Sequence, residues 1–406
     1  MRILNLFTSL LFAACLLPGI GSSASATDDL ILRGDQSWVV LASREDPDRA
    51  IAIARNNRNV GARTLVARSQ NGWFAALSGP HTVRKGAGRQ FLNALARDQG
   101  IPTDAFLSRG SGLSDVVWTP PATNVIDTLE YDGEHNVSKR WRDLHIRLSK
   151  KPLGADGAVA TAMGDLDGRP AFALAMTENP SDKPASKVTL VRLDPNSPLP
   201  QVVFTYFWQG AHCCTVTKIA SRGEAQAWHV IEGEALDGGG GYVFEDIEEA
   251  GFSYLLSNDQ SFYYTFDSYA GSSAPIRIHQ LVGNKLVDVT TEPKLRHRLL
   301  QALYALEEGA SEDSWHSNGF LAGWVAASIL ADRGKEAWAK MLANYDHQSD
   351  FGPQKCTTNG PLERCSESKK VRLAFPWALR QFLHDQNYIG DINSWSVPYE
   401  VEPVPK

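Results

Sequence analysis

The sequence lacks the features of several large classes of protein. Its 40 basic and 46 acidic residues leave a formal net charge of −6, so there is no basic excess with which to bind nucleic acid. Hydrophobic residues make up 43% of the chain, which excludes wholesale disorder. Beyond the first 26 residues, no apolar run is long enough to span a membrane. What remains is a globular chain of 406 residues, a length that predicts two or three domains.

The first 26 residues have the pattern of a cleavable secretory signal. Arg2 is followed by an apolar run over residues 3–17 and by a small-residue stretch that ends Ala24-Ser25-Ala26. This pattern predicts a signal peptide at residues 1–26, cleavage after Ala26, and a periplasmic or secreted protein without a transmembrane span. A lipoprotein with its lipid on Cys15 is the second interpretation.

Cleavage at this site would leave four cysteines, an even number that predicts disulfides in an exported chain. Cys356 and Cys365 flank a short polar loop, so we expect them to pair locally. Cys213 and Cys214 are then left to form a disulfide between neighbours. Four cysteines allow three connectivities, and cross-pairing between the two sets stays open.

Residues 36–110 predict a small unit with the order strand, helix, strand, strand, helix, strand. Asp46 supplies an N-cap with Pro47 at the first helical position, and Gly61 ends that helix. Asn71-Gly72 between two β-prone runs predicts a hairpin. Two helices on one face of a four-stranded sheet would leave the other face open to a ligand.

This unit, which we place at residues 27–117, resembles the SPOR domain, a module that binds the glycan strands of bacterial peptidoglycan. Residues 38–43 (Trp-Val-Val-Leu-Ala-Ser) match the first strand of that family, and residues 72–80 (Gly-Trp-Phe-Ala-Ala-Leu-Ser-Gly-Pro) match the third. The resemblance implies that Ser43 and Trp73 contact the glycan. Val40 stands where the family often has a glycan-facing glutamine.

The rest of the chain divides into three segments. Residues 118–152 begin with a Pro-Pro pair and mix charges without a clear period, which predicts a linker. Residues 153–292 hold short β-prone runs separated by turn residues, which predicts a β-rich sheet or sandwich. Residues 293–406 have a helical period, and the run at 319–331 is apolar nearly all round, so we expect a buried helix there. The predicted fold class is α+β.

One short loop resembles a calcium site. Asp165-Leu166-Asp167-Gly168 is similar to the D-x-D-G-D-G loop of FG-GAP repeats, in which alternating carboxylates around a tight turn bind a hard cation. Asp165 and Asp167 are therefore the candidate metal ligands, and calcium is the one cofactor considered. Arg169 replaces the third acidic residue, so an Asp-Gly turn entering a strand is the favoured alternative.

His212-Cys213-Cys214 raises the question of nucleophilic or metal chemistry. Side chains adjacent on a strand point to opposite faces, so His212 and Cys213 are badly placed as base and nucleophile. A tetrahedral zinc site would need two more ligands. The motif is similar to a string found in uncharacterised exported bacterial proteins, and we interpret it as a bend fixed by a disulfide. No catalytic residue is assigned.

The aromatic content, with 11 Trp, 11 Tyr and 16 Phe, favours a glycan ligand because sugar faces stack on exposed rings. Trp73 is one candidate platform. Residues 262–266 with Tyr269 are another, although we expect a strand at 262–266 with alternate side chains in a core. The expected function is non-catalytic attachment to peptidoglycan or a related wall glycan through the N-terminal module. An envelope hydrolase targeted by that module and a calcium-dependent interaction module are the alternatives.

Overall fold

The computed structural model describes residues 30–177, 180–208, 210–223, 226–238, 240–358 and 360–401. The predicted signal peptide at residues 1–26, with Cys15, lies outside the described residues. Within these ranges, no helix has both the length and the apolar character needed to cross a membrane. The fold is mixed α+β, with several sheets followed by a helical C-terminal region, as predicted.

The N-terminal unit is an antiparallel sheet of five strands with two helices. Its elements are β1 (Gln36–Arg44), α1 (Pro47–Asn56), β2 (Thr64–Ser69), β3 (Phe74–Thr82), α2 (Gly88–Gln99), β4 (Phe106–Ser108) and β5 (Leu113–Trp118). The strands lie in the order β4-β1-β3-β2-β5. The first six elements follow the order predicted for residues 36–110, and β5 adds a strand that was not predicted. The SPOR assignment stays a prediction.

Both helices pack on one face of this sheet. Helix α1 begins where the side chain of Asp46 accepts a hydrogen bond from the backbone N–H of Asp48 at 2.8 Å. Ala50 and Ile53 of α1 then share a core with Val39 of β1, and apolar side chains of α2 pack at its margin. The apolar spacing along α1 therefore sets which side of the helix meets the sheet.

The opposite face of this sheet is covered, so the predicted open surface is wrong. Trp38 and Val40 lie on that face and are only 1% and 3% exposed. Leu30, which precedes β1, packs against them and accepts a hydrogen bond from Nε1 of Trp38 at 2.9 Å. Apolar side chains on this face need shelter from water, and the chain before β1 supplies it.

The predicted linker at residues 118–152 is also wrong, because this segment forms three strands. They are β6 (Val125–Tyr131), β7 (Val137–Trp141) and β8 (Leu144–Pro152). Along β8, Leu144, Ile146 and Leu148 are buried while the polar residues between them are more exposed. The charges that obscured the period therefore occupy the outward positions of a half-buried strand.

The β-rich region stacks three antiparallel sheets. Its further strands are β9 (Ala158–Leu166), β10 (Arg169–Ala175), β11 (Ser186–Val191), β12 (Gln201–Phe207), β13 (Thr215–Arg222), β14 (Trp228–Glu232), β15 (Val243–Glu245), β16 (Tyr254–Asn258), β17 (Ile276–Val282) and β18 (Lys285–Asp288). The sheets have the orders β10-β9-β8-β7, β14-β13-β12-β11-β6 and β15-β16-β17-β18. The second is the middle layer, since Val202 and Phe204 face the first sheet while Val203 and Ile219 face the third.

The helical region packs on the far side of the third sheet. It contains α3 (Arg296–Gly309), α4 (Asn318–Leu330), α5 (Gly334–Asn344) and α6 (Phe375–Asp385), with a strand pair β19 (Gln354–Cys356) and β20 (Lys370–Arg372). Leu299 of α3 shares a core with Tyr254 and Leu256 of β16. Helix α4 is buried over most of its length, as its apolar sequence predicts.

Helix α1 of the N-terminal unit also packs against α3. Glu308 at the end of α3 pairs with Arg44 at 2.8 Å and with Arg49 at 3.0 Å, and Glu307 pairs with Arg49 at 2.7 Å. The end of α1 consequently lies beside the third sheet, where Arg55 meets a carboxylate of β15. The three regions of the chain are therefore in direct contact.

Candidate functional site

The two residues that the SPOR resemblance places on a glycan lie at one end of the N-terminal sheet, beside the β2–β3 hairpin. Ser43 of β1 is paired across the ladder with Ala75 of β3 and is partly buried. Trp73 lies in the turn that leads into β3, and its side chain is 41% exposed. A bulge in β1 between Val40 and Ala42 shifts the alternation, so that Ser43 shares the sheet face opposite the helices with its partner Ala75. Trp73, two residues before Ala75, lies on the same side. Of these three residues, Trp73 is the most exposed.

The two candidate calcium ligands lie at a hairpin. Asp165, near the end of β9, forms a close ion pair with Arg147 of β8. Asp167 and Gly168 connect β9 to β10 with φ of 51° and 73°, the backbone of a two-residue turn with left-handed central positions. The alternative interpretation, an Asp-Gly turn entering a strand, describes this geometry.

A different group of ligand-type side chains converges elsewhere on the surface. Within the described residues, Asp132, Glu134 and His135 bring their ligand atoms close together, and all three are exposed. Asp132 already pairs with His135 at 2.8 Å, and Glu134 with Lys183 at 2.8 Å. Because these charged groups already pair with one another or with Lys183, we interpret them as a solvent-exposed cluster of ion pairs.

All four cysteines of the described region are in disulfides. The structure links Cys356 to Cys365 beside the β19–β20 pair, and Cys213 to Cys214 just before β13. Because a thiolate is the nucleophile and the metal ligand, these bonded sulfurs are not available for either role. In this motif, His212 is therefore the residue whose side chain can still act as a base or a ligand.

His212 belongs to a cluster with Asp237, Tyr264 and Tyr269, which we call the His212 site. Nδ1 of His212 lies 2.7 Å from Oδ1 of Asp237, and Nε2 lies 2.9 Å from the hydroxyl of Tyr264. The ring of Tyr269 stacks on the imidazole, with centroids 4.1 Å apart and planes 12° from parallel. The imidazole is thereby held on both nitrogens and on one face.

Several local features fix these side chains in place. The carboxylate of Asp237 is largely buried and accepts a backbone hydrogen bond from Gly238 at 2.8 Å. The backbone N–H of Asp237 donates to Oε1 of Gln260 at 2.7 Å, which ties the loop to the short helix before the tyrosines. The aromatic segment begins in that helix and is not the predicted strand, and the predicted alternation is also wrong. Phe262 and Phe266 are buried, but Tyr264, which a strand would place on the same face, is exposed.

The carboxylate of Asp237 favours one arrangement of protons on Tyr264 and His212. Partial desolvation and the nearby Asp237 carboxylate raise the pKa of the Tyr264 phenol, so its hydroxyl stays protonated at neutral pH. A protonated hydroxyl can donate a hydrogen bond to Nε2 of His212, in which case Nδ1 carries the imidazole proton and donates a hydrogen bond to Asp237. The same influences, together with the neighbouring tyrosines, raise the pKa of Tyr269.

The His212 site can do two things chemically. It presents exposed aromatic surface, with Tyr264 52% exposed, next to polar atoms that can hydrogen-bond to hydroxyl groups. It also holds an imidazole on a carboxylate, which is the arrangement of a general base. The sequence indicated His212 and the tyrosines separately but not Asp237, which is 25 residues from His212 and meets it only through the packing of loops.

In the comparison with known proteins, a family model matches the helical region. Residues 295–387 match a family model described as the sll0997 C-terminal domain, and this match covers helices α3 to α6. No solved structure matches the chain.

Two curated relatives extend the similarity beyond that region. The chain is similar to the "Uncharacterized protein y4bJ" of Sinorhizobium fredii, with 35% identity over 397 residues, which is 95% of this chain and 61% of that protein. It is also similar to the "Probable thylakoid lumen protein sll0997" of Synechocystis sp., with 32% identity over 213 residues, 52% of this chain and 62% of that protein. The chain thus spans about three fifths of the length of these relatives.

Proposed function

We propose that this protein is an exported cell-envelope protein that binds peptidoglycan or a related wall glycan without catalysing a reaction. The observation that carries the proposal is the His212 site, where exposed tyrosine surface adjoins hydrogen-bonding groups. A sugar ring has apolar faces that stack on aromatic rings and hydroxyl groups that need polar partners, and Tyr264 with His212 offers both. Disulfides and the similarity to a protein named for the thylakoid lumen support export.

The N-terminal module supplies a second contact point in this proposal. Trp73 is exposed on its turn, and Ser43 lies on the same face of the sheet. Since the middle of that face is covered by Leu30, we propose that glycan contact there is confined to the end of the sheet around Trp73.

Co-sedimentation of the full-length protein with purified sacculi tests the proposal. Tyr264→Ala removes the ring and should weaken binding about tenfold, the value of one good aromatic contact. Tyr264→Phe keeps the ring and should retain most of the affinity, and Trp73→Ala should weaken binding by a similar factor if the module contributes. Phe351→Ala is the matched control, because Phe351 is an exposed ring in the loop before β19 and belongs to neither surface. Wild-type protein that fails to pellet, or Tyr264→Ala and Trp73→Ala variants that pellet like the control, would overturn the proposal.

An envelope hydrolase is the second candidate, and it rests on the Asp237–His212 pair. An imidazole oriented by a carboxylate on Nδ1 can accept a proton from water through Nε2, once the Tyr264 hydroxyl gives way. Loss of turbidity from sacculi, abolished by His212→Ala and kept in Tyr264→Phe, would favour this candidate. Stable binding without turbidity loss would favour attachment alone.

A further inference from the structure

A cavity of about 630 Å³ lies where the N-terminal unit, the third sheet and helix α3 meet. Arg55 and Arg58 reach it from the end of α1, and Arg298 reaches it from α3. Its volume is within the range of pockets that bind small organic molecules. Neither the SPOR resemblance nor the His212 site accounts for it.

The three arginines share one acidic partner. The carboxylate of Glu245 lies 2.8 Å from Arg55, 3.0 Å from Arg298 and 3.5 Å from Arg58, and its side chain is only 2% exposed. Three guanidinium groups on one carboxylate leave two positive charges uncompensated beside the cavity. Within the described part of the chain, Nε of Arg58 is buried with no hydrogen-bond partner.

The imbalance has a measurable consequence for Arg55. Burial lowers the pKa of Arg55, and the positive charges of Arg298 and Arg58 add to this against the opposing charge of Glu245, leaving it at about 9. An anion in the cavity would supply the missing negative charge and favour the charged form of Arg55. The cluster is therefore better suited to a filled cavity than to one that contains only water.

The remaining lining includes polar side chains such as Asn59 and Ser257, but its apolar part indicates what else such an anion carries. Val243, Leu256 and Ile276 of the third sheet and Leu306 of α3 form apolar wall, whereas the arginines stand at the end nearest α1. An inorganic ion would leave this apolar surface uncovered. An organic body on that surface would gain the favourable burial of apolar area.

We propose that this cavity binds a small organic anion, whose carboxylate or phosphate head meets Arg58 and Arg55 and whose apolar body lies on Val243, Leu256 and Ile276. Guanidinium groups bind both kinds of head through paired, charge-assisted hydrogen bonds. The shared chemistry is an oxyanion on an apolar chain, and the two heads are separated by experiment.

Isothermal titration calorimetry of the full-length protein with octanoate, octyl phosphate, 1-octanol and inorganic phosphate tests the proposal. At least one of the two amphipathic anions should bind at least tenfold more tightly than octanol and than inorganic phosphate. The tighter of the two anions identifies the head group. Binding of neither anion, or equal binding of octanol, would overturn the proposal.

Variants assign the binding to the cavity. Arg58→Gln should weaken binding of the better anion at least tenfold, whereas Arg89→Gln on exposed α2 should leave it unchanged. Ala302→Leu narrows the cavity without changing its charge and should also weaken binding of the anion. If circular dichroism shows that Arg58→Gln is unfolded, the affinity of Ala302→Leu alone tests whether the anion binds in the cavity. Wild-type affinity in a folded Arg58→Gln variant, or in Ala302→Leu, would show that the anion binds elsewhere and would refute the site.

Discussion

Replacing Glu245 by glutamine should destabilise the protein by several kilocalories per mole. The side chain lies in β15, almost fully buried, and holds three arginines from two other regions of the chain: Arg55, Arg58 and Arg298. Glutamine keeps the shape but removes the charge. The variant would therefore leave three guanidinium groups close together in a cluster with little access to water.

The distances give the size of the effect. At an effective dielectric constant of about 20, each of the two shorter contacts, to Arg55 and Arg298, is worth roughly 5–6 kcal/mol of attraction. Repulsion among the arginines and the desolvation of the carboxylate offset much of this. Removing one partner of a buried ion pair typically costs about 3–5 kcal/mol, which is the loss in the free energy of unfolding that we expect for Glu245→Gln.

The same cluster predicts a dependence of stability on pH. Burial acts to raise the pKa of Glu245, but the charges of Arg298, Arg55 and Arg58 outweigh it and hold the pKa below its ordinary value of 4.5. A carboxyl group whose pKa is lowered by folding contributes stability that is present above its unfolded pKa and is lost as the pH falls through the folded one. The wild type should therefore lose more stability than Glu245→Gln as the pH drops below 4.5.

Urea unfolding followed by tryptophan fluorescence, at neutral pH and across the acid range, measures both effects. Glu134→Gln is the matched control, because Glu134 pairs with Lys183 at 2.8 Å and both side chains are well exposed (45% and 65%), so its loss should stay below about 1 kcal/mol. A cost for Glu245→Gln no larger than that of the control would refute the reasoning. So would parallel acid profiles for Glu245→Gln and the wild type.

Three further substitutions test packing, cross-linking and capping, each by the free energy of unfolding in urea. Gly323→Ala in α4 would place a Cβ 2.2 Å from the backbone oxygen of Ser273 and should cost about 1–3 kcal/mol, since backbone must move; no change would mean that α4 can shift. Cys356→Ser opens the loop closed by Cys365, and the entropy of that loop corresponds to about 2–3 kcal/mol; an unchanged midpoint would contradict a structural role for the bridge. Asp46→Ala removes the N-cap of α1 and should cost about 1 kcal/mol, an effect that Asp46→Asn should largely avoid.

Features with a short sequence period could be predicted, whereas cover supplied by distant residues could not. The all-round apolar run of α4 predicted a buried helix, and Asp46-Pro47 predicted the start of α1. The alternation of β8 was present in the sequence, but charged residues between its buried positions obscured it. The cover that Leu30 gives to Trp38 had no signal, because nothing in either residue specifies the contact.

The His212 site shows the same limit for function. Its four residues lie between positions 212 and 269 in connections between strands, and no spacing rule joins them. The aromatic run at 262–266 predicted buried rings, but the strand alternation expected for it wrongly groups Tyr264 with the buried Phe262 and Phe266, because these rings enter the helical core from a turn. Tyr264 has φ of 63°, which a strand does not allow, and the turn is what carries its hydroxyl to His212.

The contacts between regions give a physical reason why they share one chain. Cutting the chain after residue 118 would take Arg44 and Arg49 from Glu307 and Glu308, and the Glu245 cluster would lose both of its arginines from the N-terminal unit. The cavity would also lose one wall, since α1 forms it. An isolated N-terminal unit would expose a basic, partly apolar surface that is covered in the whole protein, and this surface could itself adhere to an acidic wall polymer. Sacculus binding therefore has to be measured on the whole chain, with single substitutions at Trp73 and Tyr264, because a truncated unit would bind for reasons that the intact protein does not share.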